Sequence, residues 1–104
     1  MPRGILVVRS RPVSPEREDE YNDWYSGVHV TELLAVPGFV SARRFRRVGE
    51  GDGHEYLAVY EVEADDLAAP LQELRRRSAA GETTRSDAIQ PDPPPEIVLY
   101  EALD

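Results

Sequence analysis

Three segments of this chain carry apolar residues at both parities of the strand repeat. GILVVRS (Gly4 to Ser10), EYLAVYEV (Glu55 to Val62) and IVLYEAL (Ile97 to Leu103) set Ile5 and Val7 against Leu6 and Val8, and Tyr56, Ala58 and Tyr60 against Leu57 and Val59. Successive side chains of a strand point to opposite faces. A sheet made of these runs is therefore apolar on both sides, and neither side can stay in water without a large apolar patch. The 104 residues suit one domain, 1–104. The expectation is a dimer in which the chain's own helices cover one face and a second copy of the chain covers the other, the two sheets facing each other and enclosing a cavity.

The segments between the strands supply two helices. In SPEREDEYNDWYSGVHVTELLAVPG, Ser14 suits an N-cap and Pro15 a first helical position. Glu16, Glu18, Asp19 and Glu20 place negative charge at the positive end of the helix dipole. Tyr21, Trp24, Tyr25 and Val28 follow the i, i+3, i+4, i+7 stripe of an amphipathic helix. Gly27 weakens the helix, so a break or bend is expected near Gly27 to Thr31, with a further turn at Thr31 to Val36. FVSARRFRRV (Phe39 to Val48) reads as a strand that turns through GEGDG into the Glu55 to Val62 strand. GEGDGH joins two strands, not a strand to a helix, so it is a turn and not a phosphate loop. Asp65 or Asp66 caps a second helix with Leu67, Leu71 and Leu74 on one face, Pro70 in its first turn, and Arg75, Arg76 and Arg77 near its negative end. Ala79 to Glu96, with PDPPP, is a long irregular segment expected to cover the mouth of a site with Thr83, Thr84, Arg85 and Ser86. The order β-α-β-β-α-β predicts an α+β, ferredoxin-like fold with a four-stranded antiparallel sheet.

Composition narrows function. A net charge of −8 argues against nucleic acid and anionic membrane as partners. No apolar run approaches a membrane span, and the N-terminal run is too short for a secretory signal, so a cytoplasmic protein is expected. The absence of Cys excludes disulfides and thiolate chemistry. All 12 basic residues are Arg, which removes Schiff-base lysine chemistry and at the codon level suggests a GC-rich bacterial genome. A metal site is not expected: His29 and Glu32 at i, i+3 are a single pair with no second pair to complete it.

The run DWYSGVHVTELLAVPGFVSARRF, followed by YLAVYEV and a terminal LYEAL, resembles the EthD-like branch of the dimeric α+β barrel superfamily over nearly the whole chain. The W-Y-x-x-x-H spacing, L-x-x-P-G-F and R-R-F carry the likeness; Thr31 stands where related sequences often have Pro. The resemblance implies a homodimer with one cavity per subunit. It also implies a small, largely apolar aromatic or polyketide-like ligand, and cofactor-free decarboxylation, dehydration or cyclisation. A non-catalytic carrier of a pathway intermediate and a haem enzyme ligated through His29 are the other readings that the superfamily allows.

On this reading His29 is the proton-transfer residue, with Tyr60 as a second catalytic candidate; a helix-end His bonded to a backbone carbonyl is the structural alternative. Trp24 and Tyr25 have the spacing of core residues and would equally form a ligand-binding wall. Tyr56 shares one strand face with Tyr60 and is a ligand-binding candidate. Arg9 and Arg44 are the strand arginines that would orient a carboxylate or enolate. Arg43 and Arg44 point to opposite faces, so at least one of them is a solvent-side charge.

Overall fold

The computed structural model describes residues 1–103. Four strands, β1 (Arg3–Ser10), β2 (Phe39–Arg46), β3 (Tyr56–Glu63) and β4 (Glu96–Glu101), form one antiparallel sheet in the order β2-β3-β1-β4. Between β1 and β2 runs a helical segment: a 3₁₀ turn (Pro15–Arg17), α1 (Glu18–Trp24), a π-helical turn (Tyr25–His29) and α2 (Val30–Leu34). Between β3 and β4 lies α3 (Ala69–Ala79). This is the ferredoxin-like order expected from the strand and helix patterns.

Register assigns the two sheet faces. Leu6 pairs with Tyr60 and Leu99, and Val8 with Ala58 and Ile97, so one parity of every strand faces the helices. That layer is the core: Leu6, Tyr60 and Val62 are buried with Tyr21, Tyr25, Leu33 and Val36 of the helical segment. Leu67, Leu71 and Leu74 pack on it from the α3 side. The opposite parity lies open in the protomer, with Ile5 37%, Phe45 42%, Val98 44% and Tyr100 52% exposed.

Three local expectations change. Of the break or bend expected at Gly27, the chain shows no break but a local widening: the helix continues through the π-helical turn, closed by the Val30 amide donating to the Tyr25 carbonyl. In β2, a bulge between Phe39 and Ser41 puts Phe39 on the same face as Ala42 and Arg44, which strict alternation would have separated. Asp66 does not cap α3 directly. Its carboxylate accepts from the Ala68 amide at 3.0 Å, in the turn that leads into the helix. Gly38, at φ +103°, lies where a Cβ would collide with the Pro70 ring, so the link between α2 and β2 requires glycine for both its backbone angle and its close approach to α3.

Candidate functional site

A cavity of about 190 Å³ lies between the helices and the sheet. Leu6 and Val8 of β1, Ile97 of β4, Leu33 of α2, and Leu71 and Leu74 of α3 make its walls. His29, Arg75, Ser78 and Thr83 supply its polar groups.

The π-helical turn aims His29. In an α-helix of 3.6 residues per turn, residues five apart sit roughly 140° apart around the axis. The wider turn brings Trp24 and His29 onto one face, where their rings stack at 4.6 Å with 24° between planes. The edge of Tyr25 closes the other side of the imidazole at 4.8 Å. Single π-helical turns are frequent at functional sites because they re-aim side chains without breaking the helix. Burial lowers the His29 pKa to about 4; Glu32 opposes that shift and Arg44 adds to it. At pH 7 the imidazole is neutral, and its buried Nδ1 has no hydrogen-bond partner among the described residues.

The 80–95 loop covers this end of the molecule. The Trp24 indole donates to the Thr84 carbonyl at 3.1 Å, and the Thr84 amide donates to both Glu32 carboxylate oxygens at 2.9 and 3.0 Å. These ties flank His29 on both sides in sequence and bring Thr83 into the cavity wall. Further along, the Val13 amide donates to Ala88 and the Gln90 amide to Arg11, so the middle of the loop is pinned beside the end of β1.

The structure separates the other expected site residues from His29. Tyr60 is fully buried behind Tyr25, donates to the Tyr25 hydroxyl at 3.4 Å and packs on Phe39. Burial pushes its phenol up to about 12, and it does not line the cavity. Tyr56 donates to Glu18 at 2.7 Å and accepts from Asn22 at 3.2 Å. Arg44 donates to Ser26 at 2.8 Å and Asn22 at 2.9 Å, and its guanidinium lies over the Tyr25 ring at 4.4 Å. Tyr21 shares a 2.6 Å hydrogen bond with the buried Ser10. These groups form a polar and aromatic network that clamps the helical segment to β2 and β3. Arg9 lies apart from this network, on the side that a second sheet would cover. It lies on the open sheet face, held by Asp52 and Glu96 at 2.6 Å each, and register parity separates it from the face that carries His29.

Sequence reading passed over the wall residues and the α3 polar groups. One signal was present: Leu71, Leu74, Arg75 and Ser78 follow i, i+3, i+4, i+7, the template of a core-facing helix stripe. Grouped with Arg76 and Arg77 as helix-end charge, Arg75 was hidden.

No protein-family model matches the chain, and no curated protein is detectably similar to it in sequence. Solved structures align along almost its whole length. A candidate monooxygenase from Shewanella loihica is 17% identical over 100% of this chain and 98% of its own, with a TM-score of 0.65. An EthD family protein from Bacillus halodurans is 15% identical over 99% and 100%, with a TM-score of 0.64. The chain has the protomer fold of the dimeric α+β barrel proteins. A monooxygenase from Streptomyces coelicolor, in complex with the ligand nanaomycin D, is 19% identical over 97% and 88%, with a TM-score of 0.53. At these identities the likeness is one of fold. Among the described residues, no helix is long and apolar enough to cross a membrane, and no group of three or more His, Asp or Glu side chains is arranged to hold a metal ion.

Proposed function

We propose that this protein binds a small, largely apolar organic molecule, aromatic or polyketide-like, in the cavity between its helices and its sheet. There it performs cofactor-free acid–base chemistry with His29 as proton acceptor. The observation that carries the reading is that a neutral imidazole with an unpartnered Nδ1 lines an otherwise largely apolar cavity. A general base must be deprotonated to act. Burial makes His29 a weak base in the empty cavity, but an anionic ligand beside it favours the imidazolium and raises its pKa toward neutrality. The base therefore strengthens as an anionic substrate binds. Proton transfer is common to decarboxylation, dehydration and cyclisation, the reactions the resemblance implies. The nanaomycin D complex of a structural neighbour supports small-molecule binding. The neighbours described as monooxygenases favour dioxygen as a co-reactant in a second version of the same chemistry. Haem does not fit. The cavity is about 190 Å³, below the roughly 300 Å³ of sites that take drug-sized ligands, and a porphyrin is larger than those.

The open sheet face supports a homodimer as the working unit. On that face Ile5 pairs with Tyr100, Val7 with Val98 and Val59, and Phe45 with Leu57, so its apolar side chains adjoin across the strands.

The test begins with Trp24, the only Trp, whose fluorescence reports on the cavity edge. Titration with a panel of small aromatic acids should quench it, and product analysis with an oxygen electrode should identify the reaction. His29→Ala is expected to keep ligand binding and to cut turnover by about 10²- to 10⁴-fold. Turnover that survives the substitution would place the base elsewhere. Ligand binding with no turnover in the native protein would make it a carrier. A monomer mass in light scattering would remove the dimer.

A further inference from the structure

We infer that Arg75 is the specificity residue of the cavity and that it selects a monoanionic ligand, an aromatic or aliphatic acid over its neutral analogue. The inference rests on the cavity being the binding site and adds the chemical class of what it takes. Most of the arginines near the helices already have partners. Arg76 donates to Glu73 and Glu82, and Arg77 donates to Glu73, so the neighbours of Arg75 on α3 are already neutralised. Arg9 and Arg17 each hold two carboxylates, and Arg44 is bonded to Ser26 and Asn22. Among the described residues, Arg75, which stands at the solvent-exposed rim, makes no ion pair or hydrogen bond to a protein group, and it is the one charged side chain of the cavity lining.

The surroundings sharpen this. His29 is neutral at pH 7 in the empty cavity, so an approaching anion finds its standing counter-charge in Arg75 and not in the imidazole. Glu32, the carboxylate acting on His29, is occupied by the Thr84 amide and hydroxyl. Ser78, which lines the cavity one turn from Arg75, accepts a hydrogen bond on its carbonyl from Arg85, so a second guanidinium stands near the same rim. Arg75 is thus the charged side chain in the lining of an otherwise largely apolar pocket, with the Glu32 carboxylate beyond His29 turned to the Thr84 amide and hydroxyl. A guanidinium in such a position binds a carboxylate through two parallel hydrogen bonds, while the apolar remainder of the ligand fills the walls. The cavity, about 190 Å³, is the share of liquid volume of roughly six waters at about 30 Å³ each, a size that suits one ring and a short acid arm.

The experiment compares 3-phenylpropanoate with 3-phenylpropanamide, nearly equal in shape and different in charge, by quenching of Trp24 in the native protein and in Arg75→Gln and Arg76→Gln. The native protein should bind the acid at least about tenfold more tightly than the amide. Arg75→Gln should abolish that preference and leave amide binding unchanged. Arg76→Gln, which removes the same charge one residue away, should preserve the preference. Equal binding of acid and amide by the native protein would overturn the role of Arg75 while leaving the cavity intact as a site. Loss of preference in Arg76→Gln as complete as in Arg75→Gln would assign it to net charge and overturn the same point. If neither compound binds, the cavity reading itself fails, and the role of Arg75 fails with it.

Discussion

The two ends of the layer between helices and sheet are built on opposite rules. At the Tyr56 end a network pairs Ser10 with Tyr21, Tyr56 with Glu18 and Asn22, and Arg44 with Asn22 and Ser26 over a cluster of tyrosine rings, and only at its margin do buried His54 Nδ1 and Arg11 Nε lack a partner among the described residues. At the His29 end there is a cavity, a buried imidazole nitrogen without a partner among the described residues, and at its exposed rim the Arg75 guanidinium. Tyr25 is the wall between them, touching Arg44 on one side and His29 on the other. Saturated polar groups hold a fold together, and an unsaturated buried one costs stability unless something else meets it. The contrast separates residues that saturate one another from those that line a cavity, and Tyr21, Trp24, Tyr25 and His29, which take part on both sides, share one short stretch of sequence.

The largest effect should come from the filled end. Tyr60→Ala removes a fully buried ring from a packed layer and should destabilise the protein by about 3–5 kcal/mol. Leu71→Ala, in a half-buried wall of the cavity, should cost less than about 2 kcal/mol, because part of its surroundings is already empty. Denaturant unfolding checks both, and equal costs would break the comparison.

The two ends should also respond to pH with opposite signs. His29 titrates near 4 when folded and near 6.5 when unfolded, so the unfolded chain binds the proton first as pH falls. Stability from His29 is full above pH 6.5 and lost toward pH 4. The expected loss is about 2 kcal/mol between pH 7 and pH 5. His29→Gln should flatten that slope. Tyr60 moves the other way: its phenol is raised to about 12, so its contribution is present below pH 10 and lost as pH climbs toward 12. A native stability curve level from pH 7 to 5 would mean that His29 is hydrated in solution, and the contrast between the two ends would lose its sharpest part.

The smallest effect concerns the π-helical turn. Gly27 is exposed, and a Cβ there would meet nothing within 4 Å. Gly27→Ala should stabilise by up to about 1 kcal/mol through lost unfolded-state freedom. Thermal melting measures it. A destabilising result would mean that the wide turn needs glycine, and that the stacking of Trp24 on His29 depends on it.

Much of this was legible along the chain. The order of strands and helices, the two-faced sheet and the clustering of Trp24, Tyr25 and His29 follow from periodicity and turn chemistry, which act over a few residues. The sequence by itself determined which elements form and which side chains are large, aromatic or titratable. It could not determine which of those side chains are already spoken for. Arg44 and Arg75 are alike as letters. One is bonded to Ser26 and Asn22 across the layer, and the other is left facing a cavity. Arg9 is claimed by Asp52 from a distant turn and by Glu96 from β4. The bulge after Phe39 reset the faces of β2, and the π-helical turn brought Trp24 and His29 together. Each of these depends on contacts between residues far apart in the chain. The physical reason is that periodicity is a local property, whereas saturation of polar groups is settled only when distant segments meet, so the tertiary structure alone decided where the protein is closed and where it is open to a ligand.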